Sequence, residues 1–183
     1  MEIISLTSHD TWLMHQAAEV LWMAFSKHWP EAWPDLEAAF EEVQNLVKPE
    51  HICRAAVHAD VLLGLVGGLP QYEGHVWELH PLAVHPEYQR QGVGRALVKD
   101  FEAQVRARGG LTITLGSDDE DGMTSLADIE LYPDPWKHIA QIRNLKGHPY
   151  EFYQKMGYVI TGVVPDANGR GKPDILMSKQ VTS

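Results

Sequence analysis

The sequence predicts an α/β protein of the α+β type, with a splayed mixed sheet flanked by helices, and three observations carry that reading. Apolar residues alternate between strand and helix spacing in the order β-α-α-β-β-β-α-β-α-β-β, which a mixed sheet with helices on its faces accommodates. A glycine-bearing loop, Gln89 to Gly94, joins a strand to an amphipathic helix. The chain has 183 residues, 44% of them hydrophobic and 22% charged, which suits one domain spanning residues 1–183 with a real core.

Glu2 to Leu6 reads as a strand, and Ser8 is placed to cap a helix running to about Lys27. Trp29-Pro30 and Trp33-Pro34 break the helical pattern. A second helix is expected from Asp35 to Val47, with Leu36, Ala39, Phe40, Val43 and Leu46 on one face. Ile52 to Ala59 and Val61 to Leu69 form a hairpin pattern around Asp60, and Trp77 to Val84 supplies the next strand. The helix Gly92 to Arg108 buries Val93, Leu97, Phe101 and Val105, and Gly109-Gly110 ends it. Leu111 to Leu115 reads as a strand. Residues 116 to 135 are acidic, rich in turn formers, and suited to a functional loop. Helical patterns follow at Trp136 to Leu145 and Pro149 to Met156, then strands at Tyr158 to Val164 and Ile175 to Lys179.

Composition excludes several functions. A net charge of −10 argues against nucleic acid, because neutralising phosphates needs a basic face, and it permits a cationic ligand. The longest apolar run, Val61 to Leu69, is broken by three glycines and is far too short to span a bilayer, so no membrane partner is expected. The start Met1-Glu2-Ile3-Ile4-Ser5 lacks a basic region and apolar core, and a cytoplasmic location is the expectation. Cys53 is the only cysteine and reads as a buried, inert thiol in a strand. His75, His80 and His85 are five residues apart, so successive rings fall on opposite strand faces, and no metal site is expected.

The segment from Trp77 to Leu97 carries the chemistry. A helix start presents unpaired amides and the positive end of the helix dipole to an anion. Glycines Gly92 and Gly94 would let a pyrophosphate approach the backbone, and Arg90 and Arg95 add charge. Strict alternation puts Glu78, His80, Leu82 and Val84 on one strand face, with Trp77, Leu79 and Ala83 on the other. Glu78 is the general-base candidate for an amine that must lose a proton before attack, or else the anionic anchor for an ammonium group. His80 could orient Glu78, contact substrate or relay a proton. A tetrahedral intermediate would need a donor aimed at its developing oxyanion.

Gln89-x-x-Gly92-x-Gly94, placed between strand and helix, resembles the acetyl-CoA pyrophosphate loop of the GNAT N-acetyltransferases. Trp77-Glu78-Leu79-His80-Pro81-Leu82 resembles the aminoglycoside 6′-N-acetyltransferases of the short chromosomal subtype. Leu115-Gly116-Ser117-Asp118-Asp119, His148-Pro149-Tyr150-Glu151-Phe152-Tyr153, and Pro165 to Gly169 with Lys172 to Ile175 agree with it.

The resemblance implies the GNAT acyl-CoA N-acyltransferase fold and transfer of acetyl from acetyl-CoA to the 6′-amine of an aminoglycoside. Transfer would be by direct attack through a tetrahedral intermediate, and would confer resistance. It implies that Leu82, Ala83, Val84, Gln89, Arg90, Gln91, Gly92, Val93, Gly94, Arg95, Ala96 and Tyr153 hold the cosubstrate. Glu78, His80, Leu82 and Tyr153 would serve catalysis, with the Leu82 amide, freed by a bulge or splay near Pro81-Leu82, meeting the oxyanion and Tyr153 beside the departing sulfur. Trp29, Tyr72, Glu78, Asp118, Asp119 and Asp121 would meet the substrate, Asp121 foremost among the acidic three; the second Trp-Pro leaves open whether Trp29 or Trp33 lines the cleft. A homodimer is also implied. Two rival readings stand beside this one. The acceptor could be a polyamine, a peptide or another small amine, or the chain could be a non-catalytic acyl-CoA-binding module.

Overall fold

The computed structural model describes residues 1–181, which fall into two compact units divided between residues 113 and 114, with Val181 belonging to the first. The first unit begins with strand β1 (Glu2–Ser5), helices α1 (Thr11–Phe25) and α2 (Leu36–Leu46), and strands β2 (Ile52–His58), β3 (Val61–Gln71) and β4 (Val76–Val84). Helix α3 (Val93–Ala107) follows. Strand β5 (Thr112–Asp118) crosses the division. The second unit continues with α4 (Pro135–Ile139), α5 (Tyr150–Lys155), β6 (Val159–Val164) and β7 (Asp174–Gln180). The expected mixed-sheet α/β class is the one observed, with strand order β1-β2-β3-β4 in the first unit and β5-β7-β6 in the second. Neighbouring strands from β1 to β4 are antiparallel, as are β6 and β7.

Local chemistry sets the helix starts. The Asp35 carboxylate accepts from the Ala38 amide at 2.8 Å and fixes the start of α2. Ser8 does not cap α1, which starts at Thr11. Asp10 takes the cap position, and its carboxylate instead accepts from the amide and hydroxyl of Thr7 at 3.0 and 2.7 Å. The expected helix Trp136 to Leu145 stops at Ile139. Beyond it Ser125 and Arg143 bond each other's segments, and Thr124 bridges Asn144, so tertiary pairing takes over from helix.

Two apolar layers cover the first four strands. Met14, Ala17, Leu21, Val43 and Leu46 of α1 and α2 pack with Trp33, Ala55, Leu65 and Ala83. On the other side α3 buries Val93, Leu97, Val98, Phe101 and Val105; each such side chain contributes about 1.5–3 kcal/mol when fully buried. Phe101 lies against Gly68, where any Cβ would collide with its ring. Arg54 ties α3 to the sheet, pairing with Asp100 of α3 at 2.6 Å and reaching the Ile3 carbonyl of β1. Among the described residues no helix is long and apolar enough to cross a membrane.

Candidate active site

Strand β4 contains a bulge at the position Pro81 signals, since proline in a strand pattern marks an interrupted ladder. Val66 pairs with Leu82 and Gly68 with Leu79, so β3 advances two residues while β4 advances three. The extra residue on β4 lies across from Gly67, and a Cβ at Gly67 would strike the His80 carbonyl oxygen. Gly67 thus leaves the room that the bulge occupies.

The bulge reverses which face the strand presents. Ahead of it, Trp77 lies on the α3 side, where a Cβ at Gly110 would meet both Trp77 and Val105. Beyond it, Ala83 belongs with Leu65 to the layer under α1 and α2. Trp77 and Ala83 share a parity in sequence and yet face opposite ways. The expectation that Glu78, His80, Leu82 and Val84 share one face is therefore corrected. Glu78 and His80 stay on the α1–α2 side, while Leu82 and Val84 turn toward α3, because one inserted residue inverts a two-residue period.

Glu78 is half-buried, and its Oε2 accepts a hydrogen bond from Gln71 Nε2 at 2.6 Å. His80 is exposed, with its ring 5.8 Å from that of Trp33. Trp33 is buried and stands edge-on to Phe25 at 4.7 Å. Trp29 packs on Phe25 and His28, both at 5.6 Å. Trp33 thus brings one of the two Trp-Pro rings beside His80. Tyr72 is 76% exposed, at the head of a single 3-10 turn that β3 enters after Gln71. That turn is pinned by the Trp77 indole, which donates to the Gly74 carbonyl at 3.0 Å.

From Val84 the chain passes through the 3-10 turn Pro86–Tyr88 into the loop. Gln89 Nε2 donates back to the Val84 carbonyl at 3.1 Å, and Gln91 Nε2 donates to the Glu87 carbonyl at 2.7 Å. These two amide side chains brace the loop from within. Gly92 caps α3 with φ of 91°, a left-handed conformation that disfavours any residue with a Cβ, although nothing lies within 4 Å of where one would project. Glycine is required here by backbone conformation rather than by space. No side chain at the cap closes the helix start, so the amides of Val93, Gly94 and Arg95 form its open first turn. Arg90, Arg95 and Gly92 are exposed, Gly94 and Ala96 half-buried, and Val93 buried. Open amides, a helix dipole and two guanidinium groups make a donor set that fits a pyrophosphate.

The remaining candidates belong to the second unit. Asp119 is 0% exposed, and its carboxylate accepts from the amides of Met123 and Thr124 at 2.6 and 2.7 Å. That position differs from the substrate-facing one expected. Two amides engage the carboxylate, and its work is to shape the loop. Asp118 is half-buried; its side chain accepts from Asn168 Nδ2, and its carbonyl lies 3.1 Å from His148 Nε2. Asp121 is exposed, with its carbonyl accepting from Lys146 at 3.0 Å. Tyr153 is buried against Phe152 and Tyr158, and burial pushes its phenol well above the ordinary tyrosine range, which disfavours the phenolate. Cys53 is buried as expected, and loss of solvation pushes its thiol up to about 12.

Sequence reasoning missed Gln71 and Gly67. Gln71 stands two residues beyond Leu69, the partner of Glu78, a diagonal relation that becomes visible only once the register is known. Gly67 had a signal in the strand proline opposite it.

A strand with a central bulge that runs through an open anion loop into an amphipathic helix is an architecture with known relatives. The chain belongs to the Acetyltransferase (GNAT) family, whose profile matches residues 14–132. Over 99% of its length it superposes on the crystal structure of an aminoglycoside 6′-N-acetyltransferase complexed with coenzyme A, with a TM-score of 0.91, 40% identity and 97% of that chain covered. The aminoglycoside 6′-N-acetyltransferase from Enterococcus faecium is similar to the same extent, with a TM-score of 0.89, 40% identity, and 99% and 97% of the two chains covered. Among curated sequences, a Sodalis glossinidius acetyltransferase is 34% identical over 77 residues, 42% of this chain. The chain spans about half the length of the curated relatives it matches.

Proposed function

We propose that this chain transfers the acetyl group of acetyl-CoA to the 6′-amine of aminoglycosides. The observation that carries the reading is the β4 bulge, which sets Glu78 before it and the Leu82 amide after it on the strand that leads to the anion loop. The near full-length likeness to two aminoglycoside 6′-N-acetyltransferases supports the choice of acceptor.

Each group has an assigned task. The first-turn amides of α3, with Arg90 and Arg95, hold the pyrophosphate. The backbone of Leu82, Ala83 and Val84 accepts the pantetheine arm as an added strand would. The Leu82 amide donates to the thioester oxygen as charge develops on it. Glu78 takes the proton of the attacking ammonium, directly or through one water, and His80 with Trp33 borders its place. As the new C–N bond forms and the C–S bond breaks, the departing thiolate takes up the second proton released by the acetylated nitrogen; a part for Tyr153 beside the sulfur is assigned on the resemblance alone. Asp121 and Asp118 supply negative charge toward an acceptor carrying several ammonium groups, and Tyr72 offers an exposed ring. We assign the active form as a homodimer, on the resemblance alone.

Thiol release from acetyl-CoA tests this with kanamycin, a kanamycin analogue bearing a 6′-hydroxyl, spermidine and an amine-terminated peptide. Turnover with kanamycin and none with the hydroxyl analogue is expected. Fast spermidine turnover with none on kanamycin would instead establish a polyamine acetyltransferase, and thioester binding without turnover would establish a binding module.

A further inference from the structure

We propose that Gln71 is a positioning residue for Glu78, holding one carboxylate oxygen so that the other is presented to the acceptor amine. The proposal rests on the reading that Glu78 serves that amine.

The geometry is specific to this register. Glu78 pairs with Leu69 across the β3–β4 ladder, and Gln71 is the next residue along β3 on the same face. The two side chains are diagonal neighbours and meet with Nε2 to Oε2 at 2.6 Å, a short, charge-assisted hydrogen bond. Both residues are half-buried, so the bond is only partly exposed to competing water. The main chain fixes the donor from both sides. Gln71 is the last residue of β3, and its successor opens the 3-10 turn anchored by the bond from Trp77 to Gly74.

A neutral amide suits this task better than a cation. Lysine or arginine at this place would form an ion pair with Glu78 and compete with the substrate ammonium for the same charge. The glutamine amide orients the carboxylate and leaves its charge intact. It engages Oε2, so Oε1 remains for the amine or its bridging water. A carboxylate with one oxygen pinned has lost most of its rotational freedom before substrate arrives, which is the condition for efficient proton transfer.

The test is a double-mutant cycle with Gln71→Met, which keeps length and removes the donor, and Glu78→Gln. With kanamycin as acceptor, Gln71→Met alone should lower kcat/KM roughly 10- to 100-fold, with acetyl-CoA KM within about twofold of wild type. On the Glu78→Gln background the same substitution should change kcat/KM less than about twofold, because its target is already gone. Equal losses on both backgrounds would overturn the positioning role. A loss with Glu78→Gln and none with Gln71→Met would overturn it too, while leaving the assignment of Glu78 standing. No loss with Glu78→Gln would overturn that assignment first. A crystal structure of Gln71→Met needs no substrate. The Glu78 carboxylate should leave its wild-type position, and an unmoved carboxylate would contradict the proposal.

Discussion

Gly67 lies so close to the His80 carbonyl that any side chain at position 67 would collide with backbone, and this closeness is what lets β4 carry its bulge. Glu78 and Leu82 are four residues apart, but their partners Leu69 and Val66 on β3 are three apart, so the bulge turns the two to opposite faces of the strand. Alanine at position 67 cannot be absorbed by a rotamer change, since the obstructing atom belongs to the main chain. Gly67→Ala should destabilise the fold by about 1–3 kcal/mol and lower kcat with every acceptor. Denaturant unfolding and steady-state kinetics check this; unchanged kcat in a folded Gly67→Ala protein would detach the bulge from catalysis.

The anion loop should respond to charge and to backbone separately. Arg95→Gln removes one guanidinium from the helix start and should raise acetyl-CoA KM roughly three- to tenfold, less so at high salt. Gly92→Ala keeps all charge and strains the left-handed cap, so it should raise the same KM and also lower stability by about 1 kcal/mol. Acetyl-CoA titrations at two ionic strengths distinguish the two effects.

His148 gives the fold a pH dependence with a defined sign. Its ring is 2% exposed, Nδ1 accepts from the Tyr150 amide at 3.2 Å, and Nε2 therefore carries the proton toward the Asp118 carbonyl at 3.1 Å. Burial holds its pKa below the ordinary value of 6.5. As pH falls below 6.5, unfolded chains bind a proton that the folded ring does not, and stability declines. His148→Gln should shrink the difference in urea midpoint between pH 7.5 and 5.5. An undiminished difference would place that dependence elsewhere.

Much of this organisation is legible in the chain. The turn residues and apolar spacing locate all seven strands, and the family resemblance implies a bulge or splay near Pro81. What periodicity could not supply is the effect of that bulge on every residue after it. Alternation assumes an unbroken ladder, so it carries Leu82 and Val84 to the wrong face. Asp119 shows a second limit. Its acidic neighbours make it resemble a solvent-facing charge, yet amides three and four residues past Glu120 capture its carboxylate and bury it. Gln71 shows a third, for a diagonal hydrogen bond depends on a register that only the assembled strands define.

The central claim concerns which nitrogen receives the acetyl group. Kanamycin offers several amines, and only one is primary on an exocyclic carbon at the 6′ position. Two-dimensional NMR of the product made by this protein from acetyl-CoA and kanamycin identifies the acetylated nitrogen directly. The account predicts a single N-acetyl group on the 6′-nitrogen. Acetylation at a ring amine, at a hydroxyl, or nowhere on kanamycin would contradict it.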